Sequence, residues 1–317
     1  MIEKINKKFT FNSNLILMFT GLTFVLMLLY SGNVLSKNFL STGACLFLIL
    51  TVGISHGALD DIKGYRVLKF YKVKNKYMFY FSYIFLAFIV ILIWFFFSTF
   101  ALVLFLIVAA YHFGREDCWG VPVKRSNLNL LKFFLKGSLI ILAPLWLSFE
   151  ETVAIFNILV VKNEMFFNFL GVLNNNSVLL VSVIVSVISN ILINRKLKYL
   201  TGFAWETFCI LALYDTFSPL IAFTVYFCFL HSLRHSISLA YELNIDIAEF
   251  IKKAWPLTVI TAFFFFIGLY ILTGFQKIDI DSSIINVIFI GLASLTFPHI
   301  LLEYLLEKNE KKKLKFS

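Results

Sequence analysis

Charge is scarce in this chain. Of 317 residues, 15% are Asp, Glu, Lys or Arg, where a soluble domain carries nearer a quarter. Proline is sparse, at 5, and glycine at 14, so no linker or low-complexity tract is present. The four cysteines, Cys45, Cys118, Cys209 and Cys228, form no C-x-x-C pair. That argues against a zinc knuckle and a disulfide frame. What fills the chain is apolar. Hydrophobic residues make up 60%, 39 residues are Phe, and the mean hydropathy is +0.87. No single soluble core hides that much apolar surface, so the bilayer must be the solvent. A soluble enzyme, a disordered chain and a secreted disulfide scaffold are excluded. No internal repeat period is visible, so one transmembrane domain is expected over residues 1–317.

Windows without Asp, Glu, Lys or Arg mark the spans: 9–36, 38–59, 77–114, 165–194, 216–233, 254–276 and 282–302. A crossing helix needs about 20 residues. The window 77–114 is too long for one crossing and must fold back near Ser98-Thr99. Weaker spans lie near 133–149 and 203–217. An all-α polytopic bundle of about ten transmembrane helices is therefore expected: 13–30, 39–56, 78–97, 99–114, 133–149, 177–194, 203–217, 218–240, 254–274 and 284–306. The amphipathic stretch 150–176 is expected at an interface. The basic N-terminal run before the first apolar segment resembles a signal peptide but lacks an A-x-A-like site, so it reads as an uncleaved first span.

In this arrangement both termini share one side with 23 of the 28 Lys and Arg. The other side holds Lys37, Lys162 and Lys277, while Lys136 and Arg234 fall inside spans. The positive-inside rule makes both termini cytoplasmic, in a cell inner membrane. The net charge of +10 is explained by these loops and by lipid headgroups, with no nucleic-acid partner.

All five histidines, His56, His112, His231, His235 and His299, lie in or at the end of apolar segments. Each falls toward the C-terminal end of an even-numbered span, so all five sit at similar depth in the cytoplasmic half. Ionisable groups at membrane depth are costly and mark function. His231 and His235 are one helical turn apart and can share one metal. With two histidines from other helices they make a four-nitrogen site. All-imidazole ligation suits Fe, Cu, Zn or Ni. Three carboxylates follow histidines at i, i+4: His56/Asp60, His112/Glu116 and His299/Glu303. Each can accept the second ring N–H of its histidine and fix the tautomer. Glu206, after Trp205, falls near the cytoplasmic end of its span, either beside the site or at the interface.

Other readings of these residues are a metal or ion transporter, a haem-binding electron carrier, an oxygenase of another apolar lipid, and an Mg²⁺-dependent prenyl-diphosphate site at Asp60-Asp61. Polar groups crowd one half of the membrane, where a transport path needs both. No second Asp-rich motif follows Asp60-Asp61.

Four segments resemble the Brp/Blh family of membrane β-carotene 15,15′-dioxygenases: Gly53-Ile54-Ser55-His56-Gly57-Ala58-Leu59-Asp60, Tyr111-His112-Phe113-Gly114-Arg115-Glu116-Asp117, His231-Ser232-Leu233-Arg234-His235, and Thr296-Phe297-Pro298-His299. They come in family order between about residues 50 and 305. The resemblance implies a multi-helix membrane enzyme that cleaves the central double bond of β-carotene with O₂. The products would be two all-trans retinals, supplied to a rhodopsin apoprotein. It implies Fe²⁺ held by His56, His112, His231 and His235. His299, Asp60, Glu116, Glu303 and Glu206 would then stand behind the ligands. One departure is Asp61, where the family often has His. A fifth protein ligand would use a position that O₂ needs, which places His299 outside the ligand set.

Overall fold

A computed structural model describes residues 2–119, 127–160, 163–193 and 197–315. All regular elements among these residues are helical, as the apolar windows require. In chain order they are α1 (Ile2–Ser31), α2 (Thr42–Leu48), α3 (Asp60–Phe70), α4 (Tyr77–Phe96), α5 (Ser98–Glu116), α6 (Asn127–Leu147) and α7 (Phe149–Leu159). There follow α8 (Glu164–Asn175), α9 (Val178–Ile193), α10 (Leu197–Thr216), α11 (Pro219–Tyr226), α12 (Leu233–Leu243), α13 (Ile247–Tyr270) and α14 (Ile280–Lys315). Wide π-helical turns cover Ile49–Gly53, Phe227–Ser232 and Ile271–Phe275, and a 3₁₀ turn covers Ile54–Gly57.

Seven helices among the described residues are long and apolar enough to cross a membrane, or eight if α8 and α9, which meet at 71°, count as one broken span. Each of the ten expected crossings is helical, but not all are full-length apolar spans. The second is a short helix, α2, that passes into a π turn and then a 3₁₀ turn. The seventh, α10, carries Lys198, Glu206 and Asp215 in its sequence. The stretch 150–176 forms two helices, α7 and α8. Its first half, α7, packs on α6 and α14 and buries Thr152, Phe156 and Leu159.

Burial sorts the helices. The span Pro219–Leu243 is 78% buried, whereas that of α4 is 6% buried. The continuous unit α11, π turn and α12 is therefore the axis of the bundle. α4 and α13 present Phe81, Phe85, Phe88, Phe263 and Phe266 outward, where lipid tails are the natural partner. A single apolar cluster runs from Leu15 in α1 to Ala293 in α14.

Two close approaches set the geometry near the histidines. α5 and α6 touch backbone to backbone at Gly114 and Gly137. A Cβ added at Gly114 would lie 1.8 Å from the Phe133 carbonyl oxygen, and one at Gly137 would lie 1.9 Å from that of Ala110. Membrane helices use small residues in this way, since lipid offers no hydrophobic drive to associate. On the other flank, Gly53 leaves room for the Phe227 ring, whose Cε1 would lie 2.6 Å from an added Cβ. The first two π turns meet there, and Ser232 donates its hydroxyl to the Gly53 carbonyl at 2.9 Å. A π turn frees backbone carbonyls from the regular ladder, and π bulges are frequent at functional sites.

Candidate metal centre

Four of the five histidines converge. His112 comes from the last turns of α5, His231 from the central π turn, His235 from the first turn of α12, and His299 from α14, just after Pro298. Each is at most 5% exposed. The His112 ring lies 5.4 Å from that of His231 and 5.2 Å from that of His299, and the His235 ring lies 5.4 Å from that of His299. The side chain of His56 falls outside the described residues. Its 3₁₀ turn, Ile54–Gly57, follows directly on Gly53, which Ser232 ties to the His231 segment.

The carboxylates stand beside the imidazoles, with partners on other helices as well as their own. Asp60 accepts from His299 Nδ1 at 2.8 Å, while the side chain of its expected partner, His56, lies outside the described residues. Glu116 accepts from His235 Nδ1 at 3.0 Å, and no hydrogen bond to His112 is seen among the described residues. The i, i+4 reading considered each helix alone. In the bundle each of these carboxylates reaches across to a histidine on another helix. Glu303 stays beside its expected partner, with Oε1 3.9 Å from His299 Nε2, beyond hydrogen-bond length.

Three imidazoles thus have Nδ1 turned to a carboxylate. The third is His231, whose Nδ1 lies 3.4 Å from Asp117 Oδ1, at the long edge of a hydrogen bond. A carboxylate only accepts, so Nδ1 carries the proton and Nε2 is the nitrogen with a lone pair for a metal. Asp117 was not foreseen as a site residue. Its only signal in the sequence is the tandem Glu116-Asp117 at the end of a span that carries a histidine. Glu206, which was foreseen, touches no histidine among the described contacts. It binds Lys136 at 2.7 Å and Arg234 at 2.7 Å, and Arg234 in turn binds Asp117.

His299 differs from its neighbours. Carboxylates stand on both sides of its ring, Asp60 at Nδ1 and Glu303 with Oε1 3.9 Å from Nε2. Tyr83 also donates its hydroxyl to Asp60 Oδ2, at 3.0 Å. Glu303 is the most connected acid. Its carboxylate lies within 4.8 Å of ligand atoms of His112 and His299, and within the same distance of His235 and Glu116. Lys63 of α3 donates to Glu303 at 3.0 Å. Although Lys63 heads the basic loop region, it is buried. Burial pulls its ammonium down, but Glu303, Asp60 and Glu116 outweigh burial and keep it above the ordinary lysine range.

This donor set, buried imidazoles held by carboxylates, fits a nitrogen-ligated transition metal. Phe113 and Phe227 close over His231 at ring distances of 4.7 and 5.7 Å, and Phe223 stacks on Phe227 at 5.3 Å. The surroundings of the site are thus aromatic hydrocarbon. The family model described as Beta-carotene 15,15'-dioxygenase matches residues 47–307, a stretch that contains every histidine and carboxylate of the centre. The chain belongs to this family. A relative named Beta-carotene 15,15'-dioxygenase, from an uncultured marine bacterium (66A03), is 25% identical over 267 residues, covering 81% of this chain and 90% of the relative. No solved structure matches the chain. Family membership places the histidine-rich segments Gly53–Asp60, Tyr111–Asp117 and His231–His235 inside the matched region, where the structure clusters their described members.

Proposed function

We propose that this protein is a membrane-embedded, non-haem iron dioxygenase that cleaves β-carotene at its central 15,15′ double bond. One C=C bond breaks, two C=O bonds form, and both atoms of one O₂ enter the two all-trans retinal products. No reductant is needed. The observation that carries the reading is the buried cluster of His112, His231, His235 and His299 within the region matched to the family.

His56, His112, His231 and His235 would hold Fe²⁺, and four protein ligands leave two positions on a six-coordinate ion. Bound there, iron supplies O₂ activation next to the polyene. The residues around it do the positioning. Glu116 and Asp117 hold His235 and His231 by Nδ1, so neither ring can rotate. Asp60, Tyr83 and Glu303 hold His299 at the edge of the centre. Phe113 and Phe227 exclude water from the His231 side, which protects reactive species from side reactions. A long hydrocarbon substrate partitions into the bilayer, so its site belongs inside an apolar bundle. The enzyme would sit in the inner membrane with both termini cytoplasmic and deliver retinal to a rhodopsin apoprotein.

Expression in β-carotene-producing cells tests the reading. Retinal should accumulate as the sole retinoid and should vanish in a His112→Ala variant of equal abundance. Accumulation of long apocarotenals would show that the cut is not central.

A further inference from the structure

Arg234 lies between the two histidines of the His231–His235 segment and is 1% exposed, yet it makes no contact with either ring among the described hydrogen bonds. Its guanidinium turns to the opposite flank. Nη1 donates to Asp117 Oδ1 at 2.5 Å, Nη2 to Glu206 Oε2 at 2.7 Å, and Nε to Asn12 Oδ1 at 2.9 Å. Lys136 donates to the other Glu206 oxygen at 2.7 Å, and Tyr226 donates to the other Asp117 oxygen at 2.6 Å. The group joins α1, the end of α5, α6, α10, α11 and α12. It holds two cations and two carboxylates, so its formal charge is zero.

Such a network is a poor device for stability alone. Buried ion pairs often do no better than apolar residues of the same volume, and ionisable groups within a membrane bundle are retained where function needs them. Among the described hydrogen bonds the network reaches the metal centre through Asp117, and the Tyr226 ring also lies 6.1 Å from that of His231. The oxygen that Arg234 grips is the same Oδ1 that faces His231 Nδ1 at 3.4 Å. Tyr226 fixes the second oxygen, so the carboxylate plane is set from both sides.

We propose that Arg234 is a positioning residue of the metal centre: through Asp117 it fixes the orientation and tautomer of His231. The planar fork matters, because three acceptors on three elements must be met in one plane, which a lysine ammonium cannot do. Lys136 serves the remote end by neutralising Glu206, so that Glu206 does not draw Arg234 away from Asp117. The inference deepens the iron reading and rests on it.

The test uses full-length protein in detergent, stripped of metal and titrated anaerobically with ferrous iron against a competing chelator. The electronic spectrum of the Co²⁺-loaded protein is recorded in parallel. Arg234→Lys keeps the charge but loses the fork. It should bind ferrous iron about 10–100-fold more weakly, as is usual when the partner of a metal-bound histidine is disturbed, and should shift the Co²⁺ bands. Tyr226→Phe changes no charge and little volume, and should move both readouts the same way, less strongly; it also serves if Arg234→Lys fails to fold. In an Asp117→Asn background, Arg234→Lys should add no further loss of iron affinity. Wild-type affinity and spectrum in a folded Arg234→Lys, or in Tyr226→Phe, would overturn the inference, as would fully additive losses in the double variant. Wild-type protein that binds neither iron nor cobalt would overturn the iron reading itself.

Discussion

Replacing Gly114 by alanine adds one methyl group at the closest approach met by any described glycine. The new Cβ would meet the Phe133 carbonyl oxygen at 1.8 Å, while real Cβ contacts below 3.0 Å essentially do not occur. The helices α5 and α6 must therefore part by more than an ångström at this point. The obstacle is backbone, so no side-chain rotation relieves it. Overpacking of this kind costs about 1–3 kcal/mol when side chains can adjust, and the rigid contact puts Gly114→Ala at or above the top of that range. The displacement also reaches the site, since His112 is two residues away and Glu116 two residues beyond. Gly114→Ala should lower the unfolding temperature in detergent by several degrees and reduce both iron content and retinal formation. Gly137→Ala strikes the same contact from the other helix, at 1.9 Å from the Ala110 carbonyl oxygen, so the two losses should be less than additive when combined. Gly21→Ala and Gly171→Ala are controls, because nothing lies within 4 Å of either added Cβ. Both lie in helices, where alanine is favoured by about 1 kcal/mol, and should be neutral or stabilising. Gly114→Ala protein with wild-type melting temperature and iron content would refute the close approach of α5 and α6.

Other outcomes follow from the same geometry. His235→Ala should lose iron and turnover together, whereas His299→Ala should keep most of the iron and lose much of the rate; equal iron loss by metal analysis would make His299 a ligand. Lys63→Met should destabilise the protein by about 3–5 kcal/mol, the usual cost of leaving a buried charge unpaired, because Glu303 loses its partner; Lys63→Met/Glu303→Gln should recover much of that loss in thermal melts. A cysteine introduced at exposed Lys74 should resist an impermeant thiol reagent added outside intact cells and react in inverted vesicles; labelling from outside would reverse the orientation.

Much of the frame was legible because bilayer thickness leaves a direct mark on sequence. The charge-free windows correspond to helices, and the shared depth of the histidines anticipated that four described rings would meet. What escaped was whatever depends on neighbours across the bundle. Glu116 is near an imidazole as its sequence position suggests, but i, i+4 spacing pairs a residue with its own helix, and its partner is His235 on another; the contact of Asp60 with His299 likewise crosses the bundle. Lys63 reads as part of a solvated basic loop, yet α3 folds its first turns under α14 and buries it against Glu303. Arg234 and Glu206 give no local sign that they face each other or Asp117. The π turns that bring Gly53 to Ser232 are invisible to a 3.6-residue period, and they shorten the second crossing below a full apolar helix.

The central claim is an iron-dependent cut at the middle of β-carotene with both oxygen atoms drawn from one O₂. Purified protein supplied with ferrous iron, β-carotene and ¹⁸O₂, and quenched at once with borohydride to fix the aldehyde oxygens as alcohols, tests it most directly. Retinol should be the sole retinoid, with one ¹⁸O in every molecule, and none should form when iron is withheld. Label in only half of the molecules, or unequal apocarotenoid fragments in place of retinol, would contradict the account.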